Sequence, residues 1–223
     1  MWYYKSGDNM LLRKRVGAFL IDIFLVCMIS IALGNLSYLN PYKDKYEEAS
    51  TEYKDIYYEY EETLFNESSS FESLDSIYEF LETGIIPALK NIEKYYIFYS
   101  LWYLIIYFLY FGIFTYFNEG QTLGKRVFKI RVVDKGDNKL SFNKVIRRCL
   151  INGTNLYYGI NIIIILKILA TFIKNVNVFA ITYVILELLG IALELSLLIT
   201  LFISRGKKLT NDFFAGTEVI EVK

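Results

Sequence analysis

Histidine is absent from the sequence, and cysteine and proline are scarce. Without histidine, the chain lacks the side chain that most often serves as general base, metal ligand or pH switch. The two cysteines, Cys27 and Cys149, fall on different segments and give neither a disulfide framework nor a thiolate metal site. No nucleophile motif is present either. We therefore expect no enzyme activity, no cofactor and no bound metal.

The chain also lacks a net charge, since Lys plus Arg and Asp plus Glu both total 24. This balance points to no particular partner, and no nucleic acid partner is expected. Apolar residues are in excess, at 54% of the chain compared with about 45–50% in soluble domains. They concentrate in blocks about as long as the 20 residues that cross a bilayer core. The composition predicts an all-α integral membrane protein.

Four apolar segments are predicted as transmembrane helices: residues 16 to about 36, 95–117, 153–173 and 178–203. The first follows three basic residues, as a signal peptide would, but Asp22 and its full spanning length favour a retained helix. The last two segments are joined by a very short turn, so three or five spans remain possible. The predicted division of the chain is 1–39, 40–94, 95–117, 118–152, 153–203 and 204–223.

The distribution of charge predicts the orientation of the chain. Residues 118–152 carry nine basic residues against three acids, whereas residues 40–94 carry five against fourteen. Lys and Arg in short loops stay on the cytoplasmic side of a membrane. We therefore expect a plasma membrane protein with both termini and the 118–152 loop in the cytoplasm, and with residues 40–94 outside.

The acidic segment 40–94 is predicted to form an extracytoplasmic helical hairpin. Ser69 and Glu72 have the spacing of a capping box and indicate the start of its second helix. The acidic faces are either solvated surface or a means of concentrating cations at the mouth of a pathway. In the first helix, residues spaced alternately by four and three form a seam on one face: Tyr42, Tyr46, Ala49, Tyr53, Ile56, Tyr60 and Leu64.

The basic loop 118–152 is predicted to be ordered. Residues 127–133 alternate apolar and charged side chains like a half-buried strand. Turn residues follow at 134–138, so that residues 139–142 can return as the partner strand of a short β-hairpin-like loop. Ser141 offers an N-cap for a basic helix over residues 143–150 that lies along the inner membrane surface.

Three acids within the predicted spans, Asp22, Glu187 and Glu194, are the candidate ion or proton site. A carboxylate inside a span costs about 2.5–3.5 kcal/mol on insertion scales, so it normally faces the protein interior beside a partner. Asp22 and Glu194 lie about 10–13 Å from the same membrane face, where the pair could hold a proton or a cation. Alternatively, each acid pairs with Lys167, a loop Arg or a hydroxyl and fixes the bundle.

Two features flank the predicted cytoplasmic boundary. Arg15 precedes Asp22 by about 10 Å along the helix and tilts away from it, so we expect Arg15 to extend toward the lipid headgroups. Residues 120–125 carry two glycines without P-loop spacing. They predict a tight turn packed closely on the helices, with Lys125 near the headgroups, where anionic lipid would be its partner.

Three blocks of the sequence resemble the RDD family of small membrane proteins: residues 15–22 (RVGAFLID), 120–134 (GQTLGKRVFKIRVVD) and 209–217 (LTNDFFAGT). The family is named for one Arg and two Asp, which the resemblance assigns to Arg15, Asp22 and Asp212. The third block has Asn211 where relatives more often have His, so the proton chemistry of that His does not carry over. The resemblance does not extend to the acidic insertion 40–94. The remaining motif positions fall on Gly120, Gln121, Thr122, Gly124 and Lys125.

The resemblance implies a cation/proton transporter or a subunit of a transport complex. Asp22 would exchange the proton for the cation, with Glu194 and Glu187 as secondary acids. Four spans are few for an alternating-access transporter, so we expect a homo-oligomer or a partner membrane protein in the lipid bilayer, with a monovalent cation as ligand. The alternative, which some relatives suggest, is a non-transporting membrane scaffold that binds a partner through the hairpin or the basic loop.

Overall fold

The chain folds as a mostly helical bundle with a small sheet at one end. A computed structural model describes residues 10–65, 74–136, 139–154, 159–206 and 208–222. The helices are α1 (Met10–Gly34), α2 (Lys43–Phe65), α3 (Leu74–Phe80), α4 (Ile86–Tyr107), α5 (Thr115–Phe117), α6 (Leu123–Val127), α7 (Phe142–Leu150), α8 (Asn161–Ala170), α9 (Val176–Ile203) and α10 (Thr210–Ala215). The strands are β1 (Ile130–Asp134), β2 (Gly153–Thr154), β3 (Gly159–Ile160) and β4 (Thr217–Glu221).

Among the described residues, three helices are long and apolar enough to cross a membrane. They are α1, α9 and a 43-residue run, Asp75–Phe117, which we call the long helix. Two π-helical segments, Leu81–Ile85 and Phe108–Phe114, join α3, α4 and α5 within it. Both α1 and α9 contact α4, whose Tyr103 and Tyr107 are fully buried. The long helix is therefore the central element of the bundle.

The segment predicted as the third span does not form a helix of spanning length. Its first residues, 153–160, include the antiparallel strands β2 and β3, and α8 has only ten residues. At 1.5 Å per residue, α8 extends about 15 Å, half of a bilayer core. The helix α8 begins at Asn161, whose buried Nδ2 donates a hydrogen bond to the carbonyl of Cys149 at 2.6 Å. The count of about four spans remains a prediction.

The helix α2 packs lengthwise against the long helix at the end of the bundle opposite the sheet, which we call the hairpin end. The ring of Tyr46 lies 5.5 Å from that of Tyr96, and Tyr60 stacks on Phe80 at 5.6 Å. The predicted seam on α2 is thus confirmed at Tyr46 and Tyr60, and Ala49 is buried as the seam predicts. Its partner is no separate second helix, because α3 continues into α4. The predicted capping box lies within residues 66–73, outside the described residues.

The sheet corrects the predicted β-hairpin. The strand β1 pairs antiparallel with β4, with Ile130 opposite Glu221 and Asp134 opposite Thr217. The partner strand therefore comes from the C-terminal tail rather than from residues 139–142. Val219 of β4 is buried in one cluster with Val132 and with Ala18 of α1. This apolar contact explains the pairing, since β4 brings its own buried face to α1. We call this end of the bundle the sheet end.

The short helices α6, α7 and α10 close the sheet end. The helix α7 begins one residue before the predicted start, and Ser141 holds its N-cap position without a side-chain capping hydrogen bond. Its buried residues, Val145 and Cys149, face the bundle, and α7 contacts both α10 and the second π-helical segment of the long helix. Gly216 has a left-handed φ of +67° and ends α10 so that the chain turns directly into β4.

Thiol labelling tests the packing of α7. Cys27 and Cys149 are free and buried, and burial raises the pKa of the Cys149 thiol to about 12. Because alkylation requires the thiolate, we expect N-ethylmaleimide at pH 8 to spare the Cys27→Ala variant in membranes and to label it after unfolding in SDS. Rapid labelling of the folded variant would contradict the buried position of Cys149. An added Ser141→Cys substitution in a chain lacking both cysteines is the accessible control, because Ser141 is exposed.

Candidate functional site at the sheet end

Asp22 lies in the middle of α1 and is fully buried. Its Oδ1 accepts hydrogen bonds from the hydroxyl of Tyr110 and the backbone N–H of Gly124, both at 2.7 Å. Its Oδ2 accepts from the hydroxyl of Thr122 at 2.5 Å. The expectation that Asp22 faces the interior beside a hydroxyl partner is confirmed. The oxygens of a carboxylate anion only accept hydrogen bonds, and here they accept three. These hydrogen bonds replace those to water that Asp22 loses on burial.

The turn over residues 120–125 delivers two of these donors. Thr122 is the N-cap of α6, and its side chain accepts from the backbone N–H of Lys125 while its hydroxyl donates to Asp22. A Cβ on Gly124 would lie 2.3 Å from the carbonyl oxygen of Ala18, so only glycine permits this approach of α6 to α1. Gln121 donates to the carbonyl of Ile130 at 3.1 Å and fixes the turn to β1. The predicted tight turn is confirmed.

The third donor, Tyr110, lies in the π-helical segment Phe108–Phe114. Its ring stacks on Phe114 with centroids 5.5 Å apart, and its hydroxyl also accepts from the backbone N–H of Leu123 at 3.1 Å. Tyr110 therefore joins the long helix to both α1 and α6. The π-helical turns of α-helices occur frequently at functional sites.

Arg15 forms an ion pair with Asp212, with Nη2 2.5 Å from Oδ2. Its Nη1 donates to the carbonyl of Gly206 at 2.8 Å, and the residue is 6% exposed. The expectation that Arg15 extends toward headgroups is therefore wrong. Its predicted separation from Asp22 is compatible with this structure, because Arg15 is held by the C-terminal segment instead. Two of the residues that the resemblance named thus pair with each other.

Asp212 is shared by two guanidinium groups. Arg148 of α7 donates to its Oδ1, and the backbone N–H of Leu209 donates to Oδ2 at 2.9 Å. Arg148 also donates to the hydroxyl of Thr217 at 3.1 Å. Burial alone would raise the pKa of Asp212, but the charges of Arg148 and Arg15 outweigh it and hold this pKa below its usual value. The cluster ties α1, α7 and α10 together through one carboxylate.

A cavity of about 230 Å³ lies between these elements. Among its lining residues, Asp22 and Glu194 come from α1 and α9, so the structure places the two predicted acids on one cavity, as expected from their depth. The rest of the lining is mainly apolar. The positively charged lining residues are Arg15, Lys125 and Arg148. Within the described residues, no group of three His, Cys, Asp or Glu is arranged to hold a metal ion.

Lys125 lines the cavity rather than extending to the bundle surface. Its Nζ lies 5.9 Å from the ring centroid of Phe111. Within the described parts of the chain, its ammonium makes no hydrogen bond and no ion pair. Burial, helped by the charge of Arg148, lowers the pKa of Lys125 to about 8, although the charge of Asp22 opposes this shift. With a pKa of about 8, Lys125 loses its proton at mildly basic pH, in the same cavity as the buried Asp22.

Glu187 lies outside this cavity. It forms an ion pair with Lys167 of α8, and Lys167 also lies 4.9 Å from the ring centroid of Tyr183. This is the pairing with Lys167 that the sequence left open as an alternative for the acids. The structure therefore separates Glu187 from Asp22 and Glu194.

Sequence reasoning missed Arg148 and Tyr110 as members of the site. Arg148 is one of nine basic residues in the loop 118–152, and Tyr110 is one of 20 tyrosines, so neither stood out. The available signal for Arg148 was its spacing in α7, one helical turn after the buried Val145. No comparable signal pointed to Tyr110.

The fold and the buried charges place the chain in a general class of protein. The chain is a helical membrane protein with apolar helices of spanning length and charged side chains buried between them. Residues 11–216 match the RDD family, so the chain belongs to that family. No curated protein and no solved structure matches the chain.

Replacing the shared carboxylate tests the Arg15–Asp212–Arg148 cluster. We expect Asp212→Asn to destabilise the protein strongly, because breaking a buried ion pair and leaving its partner uncompensated costs about 3–5 kcal/mol. The control is Glu221→Gln, which removes a partly exposed pair with Lys14 at 2.8 Å and should cost at most about 1 kcal/mol. Unfolding in detergent, followed by circular dichroism, measures both. Equal midpoints for the two variants would contradict a structural role of the cluster.

A methyl group at Gly124 tests the approach of α6 to α1. The added Cβ would also lie 2.8 Å from Oδ1 of Asp22, so Gly124→Ala should separate the turn from the carboxylate and lower the thermal midpoint. In the matched control, Gly112→Ala, the nearest atom lies 3.7 Å from the new Cβ, an ordinary contact. The control should unfold within a few degrees of the wild type. A Gly124→Ala variant as stable as the control would show that this contact is not tight.

Proposed function

We propose that this RDD-family membrane protein exchanges a monovalent cation for a proton at the sheet-end cavity. The observation that carries the proposal is that Lys125 and Asp22 line the same cavity, and that Lys125 has no ion-pair partner among the described residues. A proton acceptor and a buried anion therefore lie together. The orientation and the plasma membrane location expected from the charge distribution belong to the same proposal.

Charge balance supplies the mechanism. Around the cavity, Arg15, Arg148 and protonated Lys125 balance Asp22, Asp212 and Glu194. When Lys125 loses its proton, the surroundings of the cavity carry one uncompensated negative charge. An uncompensated charge is costly in an apolar bundle, so the deprotonated state favours entry of one monovalent cation. Return of the proton to Lys125 reverses this preference and releases the cation, so one proton exchanges for one cation.

Each residue has a defined part in this exchange. Asp22 supplies the negative charge, and Tyr110, Thr122 and Gly124 hold it in place. Lys125 binds and releases the proton, and Glu194 offers a second carboxylate on the wall formed by α9. Arg15 and Arg148 neutralise Asp212 and keep the cavity from binding more than one cation.

Transport by reconstituted protein tests the proposal. In proteoliposomes with an entrapped pH dye, a sodium, potassium or lithium gradient should drive proton movement, with a rate that rises with pH up to about 8 as Lys125 deprotonates. Lys125→Arg should reduce the exchange to the level of empty liposomes, because arginine keeps its proton. Arg126→Lys, at the exposed neighbouring position, is the matched control and should leave the exchange unchanged.

Two outcomes would count against the proposal. Wild-type rates in Lys125→Arg would remove Lys125 from the proton step. The absence of cation-driven proton movement with folded wild-type protein would end the exchange hypothesis. That second result would favour the alternative, a membrane scaffold. The exposed acids and tyrosines of α2, among them Tyr57 and Tyr58, would then be the surface for a partner.

A further inference from the structure

A second polar cluster lies at the hairpin end, outside the cavity described above. The hydroxyl of Tyr183 on α9 donates a hydrogen bond to Oε1 of Glu93 on α4, at 2.7 Å. Lys167 of α8 lies 4.9 Å from the ring centroid of Tyr183 and forms an ion pair with Glu187 of α9. Three helices therefore meet around two carboxylates, one ammonium and the hydroxyl of Tyr183.

The charges of this cluster do not balance. Glu93 and Glu187 contribute two negative charges, and Lys167 contributes one positive charge. The nearby lysines on the long helix interact elsewhere: Lys90 donates to the carbonyl of Lys174 at 3.0 Å, and Lys94 lies 5.3 Å from the ring centroid of Tyr95. A partly buried cluster with one excess negative charge is stabilised by one further positive charge.

A cavity beside the cluster has room for that charge. It measures about 50 Å³ and is lined by Glu93, Lys167, Ser100 and Thr171, together with apolar residues. A cavity of this kind needs roughly 10–15 Å³ to hold one water molecule, so a cation with some of its water fits. Ser100 is 6% exposed, and its hydroxyl makes no hydrogen bond among the described residues. It offers an oxygen ligand that no protein donor occupies.

We propose that Glu93 and Ser100 bind a second monovalent cation in this cavity, beside the Lys167–Glu187 ion pair, with protons competing for the Glu93 carboxylate. The ligands are oxygen atoms, which hard cations prefer. A divalent cation would over-compensate the single excess charge, so the cluster favours a monovalent one. This inference rests on the proposed function in one respect: under that exchange, the cation would bind at this site as it enters or leaves at the hairpin end.

The helix α9 connects the two sites. Glu187 at the hairpin-end cluster and Glu194 at the sheet-end cavity are seven residues apart, which is about 10 Å along the helix axis. Gly190 lies between them on the same face, and a Cβ there would lie 3.6 Å from Ile163. Position 190 of α9 therefore places no side chain between the two acids. A cation that leaves the cluster at the hairpin end finds the carboxylate of Glu194 about 10 Å beyond Glu187 along the helix.

The competing explanation is a static clamp that ties α4, α8 and α9 together. A Glu93→Gln substitution separates the two, because glutamine still accepts a hydrogen bond from Tyr183 but carries no charge. Under the clamp, Glu93→Gln should leave every cation response unchanged. Under the proposed site, it removes the excess negative charge and with it the affinity for a cation.

Thermal unfolding in detergent measures binding without transport. We expect sodium, potassium or lithium, compared with choline at equal ionic strength, to raise the wild-type midpoint by roughly 3–6 °C at ten times the dissociation constant. Glu93→Gln should lose most of this shift, and its midpoint in choline should equal or exceed that of the wild type. The matched control is Glu82→Gln, since Glu82 is an exposed acid of the same long helix that accepts from Asn177 at 2.7 Å.

The outcomes separate this site from the sheet-end cavity. A shift that Glu93→Gln abolishes and Glu82→Gln preserves supports the site, even if proteoliposomes show no exchange and the proposed function fails. A shift that Glu93→Gln leaves intact, or that Asp22→Asn abolishes completely, overturns it. Where wild-type exchange is measured, Glu93→Gln should raise the cation concentration for half-maximal rate at least tenfold, and an unchanged value would also overturn the site.

Discussion

The structure depends on the compensation of charge inside an apolar bundle. Asp212 is the clearest case, because it accepts from two guanidinium groups that belong to distant parts of the chain. Arg15 precedes Asp212 by 197 residues, so this contact joins the first helix to the C-terminal segment. Asp22 does the same for the turn before α6, through neutral donors. Each buried acid thus brings its own set of helices together, and the sheet-end cavity is the space that remains between them.

The sequence predicted the elements whose signal is local. The position of α1, the apolar part of the long helix, the seam of α2 and the start of α7 all follow from periodicity, hydropathy or a capping residue. It failed where the outcome depends on distant residues. Hydropathy counts apolar residues but does not detect the strand pair β2–β3 before α8 or the hydrogen bond from Asn161 to Cys149 at its start. The partner of β1 was misassigned because β4 lies over 80 residues later, and only the fold brings it near.

In the candidate site, too, local signals were predicted correctly and contacts with distant residues were not. The cost of a carboxylate in a span predicted a buried Asp22 with a partner, and the structure agrees. Helix geometry predicted that Arg15 and Asp22 do not pair, yet it could not supply Asp212 as the actual partner. Lys125 was expected at the headgroups because the loop is basic. It lies at the cavity because Gly124 lets the turn approach α1 more closely than any other residue would.

The position of α9 links stability to the proposed exchange. It contributes Glu194 to one polar region and Glu187 to the other, but only 11% of its apolar 18-residue stretch is buried within the chain. The corresponding stretch of α1 is 33% buried, and the contacts of Asp22 and Arg15 hold α1 further. A helix that carries charged groups and has little protein contact can shift at lower cost than one fixed by buried ion pairs. Under the proposed exchange, α9 therefore carries one acid of each polar region on the least buried of the three long apolar helices.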